Sequence, residues 1–312
     1  MSLIIKNRSS GILSILSKQG KKNKIKKMKK IILLVVAAIM ATMNANAQCE
    51  DVQPYFTVDE LPNLIKCLPA PPAFDSPEFS YDMMRYAWGK QQRLDPERAE
   101  IAKRDAVWSY EALLAEFAIP FGLEVTKEDT PEIWKLIETA LTTTDAMRVD
   151  PKAYYKRQRP FERFNDKMLT DEEDDLRGEG SYPSGHTMRG WACALLLAEV
   201  NPAASDTIFA RGWMYGESRV IVGAHWQSDV DASRVAASIG YTALHASPEF
   251  REQMTKAQAE YAEKTGKSTS IGSTTIAPAP VRSSRVYNIN GTPATSGTRG
   301  IVIQNGVKTV RN

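Results

Sequence analysis

The sequence is poor in the residues that many chemistries rely on, with three cysteines and three histidines among its 312 residues. No Cys/His spacing suited to zinc occurs. Acidic residues are missing from both ends: Met1–Lys30 carries ten Lys and Arg with no Asp or Glu, and Lys264–Asn312 carries seven with none. Because the whole chain sums to only +3, the stretch between those ends, Ile31–Glu263, carries −14. An acidic body argues against a general nucleic-acid-binding surface. Any anion it holds is drawn by a local cluster of cations, against the overall field. Internal repeats are lacking, as is the composition of a collagen or of a chain disordered throughout. No apolar run reaches the roughly 20 residues that a membrane span needs.

What is present begins with an export signal. Lys29 and Lys30 precede the short apolar run Ile31–Met40, and Ala45-Asn46-Ala47 follows it, the layout of a cleavable secretory signal peptide. Met28 directly ahead is an alternative start to Met1, and a retained N-terminal anchor is the competing reading. Cys49 lies two residues past the expected cut, which argues against lipid attachment. In an exported protein Cys49 and Cys67 suit a short disulfide-closed loop, whereas Cys193, within Trp191–Leu197, suits a buried, inert thiol. The expected organisation is an N-terminal extension and signal peptide over 1–47, an all-α domain over 48–263, a flexible linker over 264–284 and a C-terminal tail over 285–312.

Gln48–Ser76 is rich in proline and reads as an irregular lead-in, and from Pro77 the apolar period becomes helical. Asp95-Pro96-Glu97 and Thr130-Pro131-Glu132 each place an N-cap before a first-turn proline. The first predicts a helix through Ile101, Trp108, Leu113 and Phe117 ending near Pro120, and the second a helix through Ile133, Ile137 and Leu141. Further helices are expected around Asp150–Gln158, His186–Val200, Ala203–Val222, Trp226–His245 and Pro248–Glu263. The fold class is therefore all-α, a compact multi-helix bundle. The tail adds two strand-like pieces, Arg285–Ile289 and Gly300–Gln304, with Asn305-Gly306 as a tight turn after the second.

Three clusters carry chemistry. In Lys152-Ala-Tyr-Tyr-Lys-Arg-Gln-Arg159-Pro160, a helix would set Lys152 and Arg159 two turns apart on one face, with Pro160 at the exit. Two aligned cations suit phosphate, and a guanidinium can grip two of its oxygens. In Gly180-Ser-Tyr-Pro-Ser-Gly-His-Thr187, the turn residues Pro183, Ser184 and Gly185 open a helix whose free N–H groups form an anion seat. His186 at its lip can supply a proton to a leaving group. In Ser218–Asp229, His225 and Asp229 are four apart, so on a helix the carboxylate accepts from one imidazole nitrogen and leaves the other to attack. Arg219 adds a cation. Each cluster by itself also fits a plainer alternative: a solvated charge run, an N-capping serine beside an incidental histidine, or a structural His/Asp pair.

Taken in order, Lys-x6-Arg-Pro, Pro-Ser-Gly-His and Ser-Arg-x5-His-x3-Asp resemble the full signature of one superfamily. It comprises type 2 phosphatidic acid phosphatases, bacterial non-specific acid phosphatases and vanadium haloperoxidases. The Gly-Ser-Tyr-Pro-Ser-Gly-His-Thr and Tyr-Tyr-x-Arg-x-Arg-Pro-Phe stretches are similar to the soluble class A acid phosphatases in particular, and the resemblance covers roughly Pro77–Glu263. It implies an acid phosphatase in which His225 attacks phosphorus and forms a phosphohistidine, with Asp229 orienting it. Lys152, Arg159, Arg219, Ser184 and the N–H groups near Gly185 would hold the phosphoryl oxygens, and His186 would act as general acid and base. No metal and no cofactor is implied. An acidic optimum follows from one histidine that must be neutral and one that must be protonated, near the reference of roughly 6.5.

Lipid phosphatases of the superfamily need several spans, so the implied substrate is a small water-soluble phosphomonoester. A vanadium-dependent haloperoxidase is the nearest enzymatic alternative. A surface protein that binds phosphorylated ligands without turnover is another. The same reading gives no nucleic-acid partner and no stable membrane span after signal cleavage, and leaves a homo-oligomer open. The expected location is periplasmic or secreted, and the tail resembles C-terminal sorting segments that would allow display at the cell surface. His245 falls outside the pattern as a helix-end or surface residue.

Overall fold

The computed structural model describes residues 52–267, 286–288, 292–295, 297–304 and 307–311. The expected signal peptide, Cys49, most of the expected 264–284 linker and the expected Asn305-Gly306 turn lie outside these residues. Among them the body is all-α: α1 (Leu64–Cys67), α2 (Phe79–Gln92), α3 (Pro96–Arg104), α4 (Tyr110–Phe121), α5 (Pro131–Asp145), α6 (Val149–Tyr155), α7 (Pro160–Phe164), α8 (Glu173–Leu176), α9 (Gly185–Val200), α10 (Ser205–Ile221), α11 (Gln227–Leu244) and α12 (Pro248–Thr265).

Helix α9 is the centre of the bundle. Twelve of its sixteen residues are buried, as expected of a helix apolar on nearly every side. It packs against α10 and α11, with α5 beside it, and α12 closes over α5. Leu113, Phe117, Ile137, Leu141, Leu196, Leu197 and Tyr261 fill the shared core. The proline-rich lead-in is docked onto this body: Leu61, Leu64 and Leu68 bury against Met147, Tyr182 and Met188, and the Tyr182 hydroxyl donates to the Pro69 carbonyl at 2.5 Å.

Three local departures from the sequence reading matter for the site. The helix expected from Asp95 to Pro120 is two helices, α3 and α4, separated by a turn in which the Ser109 hydroxyl accepts from the Ala112 N–H at 3.0 Å. The break coincides with buried Asp105, which accepts from the Ser218 hydroxyl at 2.6 Å and pairs with Arg211. Lys152 and Arg159 do not share a helix either. Helix α6 ends at Tyr155, with Lys156 as a left-handed C-cap at φ 45°, and Arg159 is extended because Pro160 opens α7 at its first position. Finally, α11 starts at Gln227, so His225 precedes the helix and Asp229 sits in its first turn.

At the C-terminus β1 (Val286–Asn288), β2 (Gly300–Gln304) and β3 (Val307–Arg311) form an antiparallel sheet in that order. Val286 pairs with Gln304, and Gly300 with Arg311. The third strand had no counterpart in the sequence reading.

Candidate active site

Two chain reversals build the site. The loop before α9 presses on α6: a side chain at Gly180 would place its Cβ 2.4 Å from the Lys152 carbonyl oxygen, so only glycine permits this approach. Lys152 in turn donates through Nζ to the Gly180 carbonyl at 2.5 Å. After α10, Gly223 adopts φ +86° and turns the chain, and the Ala224 and His225 N–H groups both return to the Arg219 carbonyl. Trp226, fully buried among Phe74, Phe79, Tyr86 and Phe164, anchors this turn, and its indole N–H donates to the Gln158 carbonyl at 2.8 Å. The two turns and the extended Arg159 segment are thereby tied together.

The neighbours of His225 define its tautomer. Nδ1 lies 2.8 Å from the Ser181 carbonyl oxygen, which can only accept, and Nε2 lies 3.0 Å from Arg159 Nη1, which can only donate. The proton is therefore on Nδ1, and the Nε2 lone pair faces the guanidinium. Asp229 Oδ2 is 3.5 Å from Nδ1 and accepts from the Trp226 N–H at 2.9 Å. The backbone carbonyl, rather than the carboxylate four residues on, is thus the closer acceptor of the imidazole proton. Burial first, and then Arg159, Lys152 and Arg219, hold the His225 pKa well below the usual imidazole range.

His186 occupies the first turn of α9, after Ser184 as N-cap. Ser184 Oγ accepts from the Thr187 N–H at 3.4 Å and the Thr187 hydroxyl at 3.0 Å. His186 Nε2 donates to the Ala106 carbonyl at 2.9 Å, and its ring meets Trp108 edge-on at 4.6 Å. Burial, with Arg219 second, lowers its pKa well below the ordinary value.

Lys152, Arg159, Gly185, His186 and His225 line one cavity of about 260 Å³, together with Trp108, Arg148 and the acids Glu172, Asp175 and Glu179. Those acids balance the cations. Fully buried Arg219 is held by Glu172 through two bonds of 3.1 and 3.3 Å. Glu179 reaches Arg159 at 3.4 Å and Lys152 at 3.9 Å. The cluster of cations expected from the sequence is therefore charge-paired, because guanidinium groups this deeply buried need counter-charges. One donor nevertheless stays orphaned: Arg219 Nε is buried without a hydrogen-bond partner. Burial and the neighbouring Arg159 bring the Lys152 pKa down to about 7, and burial with Arg219 brings that of Arg159 down to about 10. Among the described residues no group of His, Cys, Asp and Glu is arranged to hold a metal ion.

Sequence reasoning missed Trp108, Arg148, Glu172 and Glu179, and also Asp82 and Arg157 behind Asp229. Arg157 stood in plain view between Lys152 and Arg159 but read as part of a charge run.

Comparisons with known proteins identify the family. The PAP2 superfamily pattern matches residues 133–252. A non-specific acid phosphatase of Providencia stuartii is 42% identical over 198 residues, 63% of this chain and 79% of its own. That of Salmonella typhimurium is 38% identical over 217 residues, 69% of this chain and 86% of its own. The chain belongs to the class A non-specific acid phosphatases of the PAP2 superfamily. It is an acid phosphatase, a phosphoric monoester hydrolase. Among solved structures, a transmembrane PAP2-type phosphatidylglycerolphosphate phosphatase of Bacillus subtilis covers 56% of this chain and 94% of its own at 16% identity, with a TM-score of 0.31, too low a likeness to carry a conclusion. No helix among the described residues of this acid phosphatase is long and apolar enough to cross a membrane.

Proposed function

We propose that this acid phosphatase is exported and hydrolyses small phosphomonoesters without a metal, through a phosphohistidine on His225. The observation that carries the reading is the pairing of His225 Nε2 with Arg159 Nη1 at 3.0 Å beside the shared cavity. A phosphoryl oxygen that takes over the Arg159 donor brings phosphorus next to the lone pair it releases. Lys152, Arg159 and Arg219 hold the equatorial oxygens, together with Ser184 and the N–H groups at Gly185 and His186, displacing Glu172 and Glu179. In the first step Nε2 bonds to phosphorus as the ester P–O bond breaks, and the leaving alkoxide takes a proton from Nδ1 of protonated His186. In the second, neutral His186 accepts a proton from water, the water oxygen bonds to phosphorus, and the N–P pair returns to Nε2. Asp229 balances the positive charge that the imidazole acquires. The burial that keeps His186 neutral until the pH is low gives a physical reason for an acidic optimum. The Lys29–Ala47 pattern supports export to the periplasm or beyond. The change to a Ser, Thr and Gly-rich composition after Lys264 supports a tail separate from the catalytic domain.

Incubation with an aryl phosphate in the presence of chelator, followed by quenching, tests the mechanism. A phosphoenzyme stable to alkali and lost in acid is expected. An acid-stable phosphoester, or turnover that chelator abolishes, would overturn it.

Lys152 adds a pH prediction. With its pKa near 7, Lys152 is a cation below that pH and neutral above it, so phosphate affinity falls as pH rises through about 7. Lys152→Arg keeps its charge, so in calorimetric titrations with inorganic phosphate the loss of affinity between about pH 6 and 8 should be smaller than in the wild type. An identical fall in the two proteins would remove Lys152 from the phosphate seat.

A further inference from the structure

We infer that Asp82, acting through Arg157, is a positioning residue that keeps the Asp229 carboxylate available to His225. The inference rests on the reading of His225 as the nucleophile. Asp82 lies on α2, outside the matched stretch 133–252 and outside every motif in the sequence. Its side chain and that of Asp229 are fully buried, and the Arg157 guanidinium bridges them. Nη2 donates to Asp82 Oδ2 at 2.8 Å and Nη1 to Asp229 Oδ1 at 2.5 Å. Ser228 completes the link: its N–H donates to Asp82 Oδ1 at 2.8 Å and its hydroxyl to Asp82 Oδ2 at 2.6 Å, while Arg157 Nη1 also reaches that hydroxyl at 2.7 Å.

The charge balance is the argument. Two buried carboxylates and one guanidinium leave a single negative charge, and its nearest outlet is His225 Nδ1, 3.5 Å from Asp229 Oδ2. The other groups whose charge bears on His225, namely Arg159, Lys152 and Arg219, are cationic and disfavour a positive imidazole. Without Asp82, the Arg157 charge would fall on Asp229 alone, and no net negative charge would remain to offset the phosphorylated imidazole. Asp82 thus occupies one arm of the guanidinium so that Asp229 is not neutralised by the other. Arg157 itself stays charged: burial opposes its charge, but Asp229 and Asp82 outweigh burial and raise its pKa.

The test is single-turnover release of the aryl alcohol, with enzyme in saturating excess over an aryl phosphate, so that the fraction of folded enzyme does not set the rate. Asp82→Asn should slow release roughly tenfold, the low end for residues that orient a reactive group from one shell out, with the half-saturating enzyme concentration within about twofold of wild type. Ser228→Ala preserves the three charges and the Arg157 bridge and should stay within about threefold, and Asp82→Glu, which keeps the carboxylate, should recover part of the rate lost in Asp82→Asn. An unchanged rate in Asp82→Asn, or an equal loss in Ser228→Ala, overturns the inference, and the Ser228→Ala comparison stands even if Asp82→Asn fails to fold. Absence of an alkali-stable phosphoenzyme in the wild type would instead overturn the reading of His225 on which it rests.

Discussion

His225→Ala should eliminate phosphomonoester hydrolysis, with kcat falling on the order of 10³-fold or more, while inorganic phosphate continues to bind. The two halves of this expectation have different physical origins. The lost Nε2 lone pair is the bond-forming group, and no other described side chain stands 3.0 Å from Arg159 Nη1 in position to replace it. Phosphate affinity depends on Lys152, Arg159 and Arg219, which the substitution leaves in place, and Arg159 Nη1 retains its bond to the Ala224 carbonyl at 3.0 Å. The fold should persist, since the main polar loss is the partner of the Ser181 carbonyl, worth about 1 kcal/mol. Hydrolysis assays paired with calorimetric titration of phosphate check both halves. Residual kcat within tenfold of wild type would remove His225 from the nucleophile's role, and loss of phosphate binding would show that the seat depends on the imidazole.

Arg159→Ala should lower kcat/KM by roughly 10²- to 10³-fold, the usual loss when one donor to a developing anionic centre is removed. Arg159 makes three kinds of contact at once: with the Ala224 carbonyl and His225 through Nη1, with the Glu179 carbonyl through Nε, and with the Glu179 carboxylate through Nη2. Its removal takes away a phosphoryl clamp and also leaves Glu179 with only Lys152, at 3.9 Å, as a counter-charge beside the cavity, so more negative charge faces an anionic substrate. Arg159→Lys restores the charge but not the fork, and should recover only part of the loss. If Arg159→Lys were equal to wild type in kcat/KM, charge alone would matter and two-pronged gripping would be dispensable.

The paired state of the cavity bears on how the enzyme selects anions. Glu172 on Arg219 and Glu179 on Arg159 and Lys152 mean that an incoming phosphate exchanges one set of oxygens for another. The net gain is smaller than for a bare cationic pocket. This fits a protein whose central stretch is strongly acidic and whose phosphate seat must work against that field.

Much of this protein was legible without coordinates. The first-turn prolines at Pro96 and Pro131 start helices where they should, because a missing N–H and a fixed φ act locally. The motif residues Lys152, Arg159, Gly185, His186 and His225 come to one cavity. Their side-chain types carry the chemistry, so their order along the chain was informative. Where the reading went astray, long-range contacts prevailed over local period. The helix from Asp95 breaks where Asp105 is drawn to Arg211 and Ser218, more than a hundred residues away. The break supplies the Ala106 carbonyl that orients His186, and exposes the Trp108 wall. Likewise His225 is oriented most closely by the Ser181 backbone carbonyl, an acceptor that every residue type possesses and no sequence pattern marks. Asp82 meets Arg157 across 75 positions and Ser228 across 146. The sequence by itself determined which groups are chemically competent. Only the tertiary structure decided which backbone oxygens and buried counter-charges hold them, because those partners are chosen by packing rather than by residue type.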